Sequence, residues 1–325
     1  MDTAETIMLE FAANTGLSSE KPSRRYLWTD AFAVCNFIQL YKQTKKESYK
    51  ELAIDLVEQV HHTLGKHRKD DPRKGWLSSK EHPTRKGLRI GKPRPERTPD
   101  EPLDQDLEWE RDGQYFHYLT KWMIALIKMG TLCNDNTYYL WAVDLLNAST
   151  AFIHDGRMYW KMSIDLSRPL IQSMGQHDPL NGYATFKMVN RYVDRKLKKQ
   201  VARMRELADS IRLPTTDPLG LGEMLVYAYR LFQMGNDEDL ISKIIEAVRF
   251  GLTTFSKNLH HLPFRELGLA IGLDASKRMN KLKSHWEVKQ YIVDYWLNHR
   301  NWKEHKEINQ VMLATSLRPE EFLTV

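Results

Sequence analysis

Cysteine is almost absent from this chain. Two residues, Cys35 and Cys133, among 325 exclude a disulfide framework, and both fall inside apolar helical patterns where a thiol packs as a small hydrophobe. Long apolar runs are missing too. No stretch approaches the ~20 residues of a membrane span, and Met1 to Leu17 shows no basic segment leading into an apolar one. These absences predict a cytoplasmic protein with no membrane partner. The chain also lacks HExxH, paired CxxC, GxxxxGK[ST], GxGxxG and GxSxG. Spacings that hold a metal, cradle a phosphate or raise a nucleophilic serine are therefore missing, and no metal or cofactor is implied.

Charge is present but uneven. The formal net charge is +6. The segment His61 to Arg97 carries twelve Lys/Arg against four Asp/Glu, and Lys187 to Arg205 carries eight against one. The second run repeats every three to four residues, which makes it one solvated face of a helix. No zinc finger, RNP-type aromatic motif or helix-turn-helix accompanies it, so nucleic acid is disfavoured as a partner. Aromatic residues are plentiful, with nine Trp and fourteen Tyr.

Hydrophobic periodicity predicts an all-α protein with about ten or eleven helices and no strands. Helices are expected over Glu5–Leu17, Asp30–Lys42, Ser48–Leu64, Asp112–Met129, Asn136–His154 and Asp178–Leu207, the last broken once. Others follow over Asp217–Met234, Glu238–Lys257, Pro263–Leu273 and Trp286–Arg300, before a short polar end. Helices opening near Asp30, Asp112, Asp178 and Asp217 are rich in Ala, Gly, Phe and Tyr, whereas their partners are amphipathic. That alternation suggests an inner and an outer ring with the four aspartates at one end. Two irregular excursions interrupt it, 65–111 and 155–177. The first holds six of the thirteen prolines yet also Trp76, Leu77, Leu88 and Ile90, so it is expected to be ordered and to lie over a cleft.

The runs Trp28-Thr-Asp-Ala-Phe and Glu108-Trp-Glu-Arg-Asp-Gly-Gln-Tyr, with these hairpins and loops, resemble the six-hairpin glycosidase-like superfamily. The resemblance implies a single (α/α)6 toroid over residues 1–325, with an active site built by loops at one end of the ring. It implies a carbohydrate or sugar acid as the small-molecule partner.

Glycoside hydrolysis needs two carboxyl groups, one protonated and one ionised. The candidates are Asp30, Glu108, Glu110, Asp112 and Asp178. Asp112 leads them as the apparent cap of a buried helix, and Arg25, Arg111 or Arg168 is expected to hold one carboxylate ionised. Each aspartate is equally an N-cap by residue type, and Asp217, in a plain Leu-Gly setting, reads as a cap only. His117 and His177 could instead serve as acid and base in an epimerase, or be hydrogen-bonded structural histidines. Trp28, Trp76, Trp109 and Trp160 lie at loops or helix mouths, where they could stack on a sugar or pin a loop. Gln114, Lys161 and Arg168 complete the candidate binding residues. Three functions stay open: a glycoside hydrolase, a sugar epimerase or isomerase, and a non-catalytic helical protein that holds an acidic partner on its basic faces.

Overall fold

Among the described residues, six largely buried helices stand in a ring, and six amphipathic helices surround them. The protein is described here by a computed structural model of residues 3–193, 196–255, 259 and 262–325. Arg195 of the basic run and the expected helix end at Lys257 lie outside the described residues. In chain order the helices are α1 (Thr3–Asn14), α2 (Leu27–Thr44), α3 (Glu47–Leu64), α4 (Gln105–Glu110) and α5 (Phe116–Cys133). Then come α6 (Asn136–Ser149), α7 (Asp178–Tyr192), α8 (Lys198–Ser210), α9 (Pro218–Met234) and α10 (Glu238–Leu252). The last are α11 (Pro263–Arg278), α12 (Trp286–Asn298), α13 (Lys306–Leu317) and α14 (Glu320–Leu323).

The inner ring runs α2, α5, α7, α9, α11, α13, and α13 packs back on α2. Each inner helix pairs with an outer one: α2 with α3, α5 with α6, α7 with α8, α9 with α10, and α11 with α12. The sixth pair joins α13 to α1, so the first helix of the chain covers the last inner one. The division follows composition. Every residue of α2 from Leu27 to Leu40 is buried, whereas α10 buries Leu240, Ile241, Ile244, Ile245 and Val248 and leaves its charged face in water. Helices α9 and α11 approach closely because glycines meet there. A Cβ on Gly222 would lie 2.1 Å from the Gly268 carbonyl oxygen.

Three expectations are corrected. The C-terminal end, expected only to be short and polar, forms α13, the sixth inner helix. Its buried side includes Asn309, Gln310, Thr315 and Ser316, whose polarity hides an interior helix in the sequence. They are tolerated because they find partners: Asn36 donates to the Val311 carbonyl at 3.1 Å, and Thr315 donates to Asn36 Oδ1 at 2.9 Å. Short strands also occur. β1 (Gln114–Tyr115), β4 (Lys161–Met162) and β5 (Pro169–Ile171) form an antiparallel sheet in the order β1-β4-β5, and β2 (Ile153–His154) pairs with β3 (Arg157–Met158). Two or three residues are too few to show a period-two pattern. Finally, α5 opens at Phe116, not at Asp112, because Gln114 and Tyr115 are held extended against Lys161 and Met162.

The C-terminal ends of the inner helices are plugged by α14. Phe322 stacks on Phe32 of α2 at 4.4 Å between ring centroids, and its carbonyl accepts from Arg230 Nη2 of α9 at 2.6 Å. Glu321 accepts from Lys42 at 2.6 Å. No helix among the described residues is long and apolar enough to cross a membrane. Because Phe322 fills the axis between two inner helices, Phe322→Ala leaves a cavity there. It is expected to lower stability by about 3–5 kcal/mol, read from urea unfolding; an unchanged midpoint contradicts the plug.

Candidate active site at the N-terminal mouth of the ring

The inner helices all begin at the same end. Each lends its first turn or the residue before it to one cavity of about 640 Å³: Tyr26 and Trp28, Tyr115, His117 and Tyr118, His177 and Asp178, Asp217 and Gly220, Phe264 and Arg265, and His305 and Ile308. Six positive helix ends therefore point at one volume. Lys92 and Trp109 from the first excursion and Trp160 from the second complete its wall. The sheet β1-β4-β5 ties the second excursion to the start of α5 and so fixes that part of the wall.

Asp178 is the first residue of α7, with Pro179 in the first turn. Its Oδ2 has no hydrogen-bond partner. Burial, reinforced by the charge of Glu223 and only partly offset by Lys121, pushes its carboxyl up to about 7. Glu223, on the second turn of α9, takes the opposite state. Burial disfavours its carboxylate, but Lys121 at 2.9 Å and the Tyr227 hydroxyl at 2.6 Å outweigh that and hold it below the usual glutamate value. Lys121 is itself buried on α5 and also lies 3.1 Å from the Tyr227 hydroxyl. One carboxyl is thus protonated near neutral pH and a neighbouring one ionised. The cation that keeps the second ionised is Lys121, not one of the expected arginines. Arg25 pairs with Asp30, Arg111 with Glu101, and Arg168 donates to the Arg97 carbonyl.

Both candidate histidines stand in this mouth. Burial drives His117 down to about 4, and its Nδ1 lies 3.8 Å from Asp178 Oδ1, too far for a hydrogen bond. Burial also lowers His177, whose Nε2 donates to the Leu213 carbonyl at 2.9 Å. Both rings are neutral at pH 7. Tyr115, His117 and Trp160 form one cluster, with centroids 5.3 Å apart for Tyr115–His117, 5.0 Å for Tyr115–Trp160 and 6.3 Å for His117–Trp160, and Trp109 meets Trp160 edge-on at 4.7 Å. Trp109 is 50% exposed at the rim.

Other expected site residues lie elsewhere. Asp112 is fully buried outside the cavity. Its carboxylate accepts from Arg89, from Arg68 at 3.4 Å, and from the backbone N–H of Gly91 at 3.0 Å, Lys92 at 3.4 Å and Gly113 at 3.1 Å. Glu108 is equally enclosed, paired with Lys161 at 2.8 Å and Arg97 at 3.2 Å. That pairing removes Lys161 from the cavity as well. Gln114 is spent on backbone, accepting from Leu88 N–H and donating to the Lys86 and Ile164 carbonyls. Glu110 is exposed and Arg168 braces the excursion; neither lines the cavity. Trp76 turns outward onto His62 of α3, at 5.1 Å. Asp30 accepts the Tyr26 N–H at 2.9 Å inside the first turn of α2 and lines a smaller neighbouring cavity of about 310 Å³. Asp217 caps α9 through the Gly220 N–H at 2.9 Å. Sequence reasoning assigned no role to Glu223 or to Lys121. Their signal was a charge set in a mostly apolar inner helix, which Arg230 on α9 and Lys128 on α5 also give.

Among solved structures the chain resembles an α-mannanase from Bacteroides thetaiotaomicron, at 10% identity and a TM-score of 0.66, over 99% of this chain and 97% of that one. It also resembles an inactive variant of an α-1,6-mannanase from Salegentibacter sp., with two consecutive aspartates replaced by asparagine and α-1,6-mannotriose bound. That match has 14% identity, a TM-score of 0.62 and 98% coverage of both chains. The fold is the (α/α)6 toroid. A third toroid, cellobiose 2-epimerase from Spirochaeta thermophila, matches at 13% identity and a TM-score of 0.58, over 99% of this chain and 98% of that one. No protein-family model matches the chain, and no curated protein matches its sequence.

The placement of two aspartates separates structural from chemical roles. Asp112→Asn leaves two arginines without their shared anion and is expected to cost about 3–5 kcal/mol, whereas Asp178→Asn, which removes no hydrogen bond at Oδ2, changes stability little. Parallel denaturant titrations measure both, and equal stabilities for the two variants contradict this assignment.

Proposed function

We propose that the protein is a glycoside hydrolase whose substrate lies in the mouth of the ring. The observation that carries this reading is the split between the two carboxyls, Asp178 protonated and Glu223 ionised, in an aromatic-lined cavity large enough for an oligosaccharide. Asp178 donates its proton to the glycosidic oxygen as the bond to the anomeric carbon breaks. Glu223 supplies the carboxylate that the oxocarbenium-like transition state requires on the other side, and water completes the cleavage. Trp28, Trp109 and Trp160 offer ring faces or edges to the sugar. The fold is shared with mannanases, yet this chain has a single pair of consecutive aspartates, Asp70 and Asp71. These are bound to Arg68 and Arg73 in the first excursion and do not line the mouth. The acid–base pair proposed here therefore comes from two different inner helices.

A second reading, sugar epimerisation, rests on His117 and His177, both neutral in the same cavity and therefore able to take a proton from carbon. Proton NMR of products formed in D2O separates the two: hydrolysis creates a new reducing end, and epimerisation places deuterium beside the carbonyl carbon. The cytoplasmic location inferred from the thiols belongs with this proposal.

With Asp178 as general acid, kcat/KM should fall tenfold per pH unit above about 7, as its proton is lost. Asp178→Asn should lower kcat by about 10²- to 10⁴-fold and abolish that alkaline limb. Rates measured across pH on a panel of oligosaccharides check this; full activity in Asp178→Asn removes the residue from the mechanism.

A further inference from the structure

Pairing the charges at the mouth leaves one over. Arg265 is bound to Asp217 at 2.8 Å, Lys121 to Glu223 at 2.9 Å, and Asp178 is largely neutral up to about pH 7. Lys92 has no ion pair among the described residues. Its ammonium lies 5.6 Å from the centroid of the Tyr26 ring, itself part of the cavity wall. Its residue is half-buried, and that burial lowers its pKa; Glu110 and Asp112 oppose the shift through space, without a hydrogen bond. Asp112 is already committed to Arg89, Arg68 and three backbone N–H groups, and Glu110 stands outside the cavity.

The position of Lys92 is built rather than incidental. Asp112 accepts the N–H groups of Gly91 and Lys92, and the Lys92 carbonyl accepts from Arg68 at 2.7 Å. Gly91 adopts φ +95°, and a Cβ there would sit 2.3 Å from the Arg25 carbonyl oxygen, so the turn that delivers Lys92 to the rim needs glycine. The six inner helix N-termini add positive potential to the same volume.

We propose that Lys92 is a specificity residue that receives an anionic group on the sugar, a carboxylate or a phosphate, so that the substrate is an acidic and not a neutral saccharide. This rests on the carbohydrate reading of the mouth and extends it. A half-desolvated ammonium without a counter-ion gains a charge-assisted hydrogen bond when such a group arrives, which is one of the stronger polar contacts available. Neutral sugars offer it only a hydroxyl.

The test is binding calorimetry in the Asp178→Asn background, so that no ligand is consumed. Four probes are titrated in two pairs: mannotriose against a trisaccharide ending in a uronic acid, and a free hexose against its 6-phosphate. At least one charged sugar is expected to bind about 10- to 100-fold more tightly than its neutral counterpart. Lys92→Met should remove that preference and Lys92→Arg should keep it, with melting curves confirming that both variants fold. The uronic acid and phosphate arms show which anion is taken. Neutral and charged sugars binding equally, or a preference that survives Lys92→Met, overturns the role of Lys92 while leaving the carbohydrate site standing. Failure of every sugar to bind overturns both.

Discussion

The geometry of the mouth depends on a carboxylate that never reaches it. Asp112 has no solvent contact and gathers two arginines and three backbone N–H groups. A buried anion is tolerable only when its lone pairs are filled, and here the filling groups come mostly from the long excursion. Satisfying one charge therefore folds a proline-rich loop onto the ring, seats Gly91 and Lys92 at the rim, and sets the strand that leads into α5. A parallel arrangement around Glu108 fastens the second excursion through Lys161. These networks order the wall, and the chemistry sits beside them on the helix ends.

That division explains what could be read from sequence. Apolar and amphipathic helices alternate plainly enough to give the inner and outer rings, and the excursions show themselves by proline and by stranded tryptophans. Helix α13 escaped because its interior face carries amides and hydroxyls that are acceptable only when Asn36 stands opposite. The β-strands escaped because they are shorter than any period. Local crowding of charge from Glu108 to Asp112 was visible, but crowding alone does not tell a catalytic cluster from a neutralised one. The deciding residues, Arg68, Arg89 and Arg97, arrive from 11 to 44 positions away.

The mouth itself was partly legible. His117, His177, Asp178, Trp28, Trp109 and Trp160 were all singled out, and the toroid brings them to one cavity. Glu223 gave a weaker sign, a lone acid amid Leu, Gly and Met. Its meaning comes from Lys121 on α5, roughly a hundred residues earlier. Their partnership lets Glu223 remain ionised while Asp178 does not.

The sixth pair of helices has a consequence for how the chain is made. α13 must pack between α11 and α2 and beneath α1, so the seam of the ring joins segments separated by nearly the whole length of the polypeptide. While the chain is still emerging from the ribosome, α2 exposes the flank that α13 will cover, and α1 lacks its main partner. The ring is thus an arc during synthesis and becomes a circle only at the last step, a high-contact-order closure of the kind that folds slowly and leaves apolar edges open to chaperones in the interval.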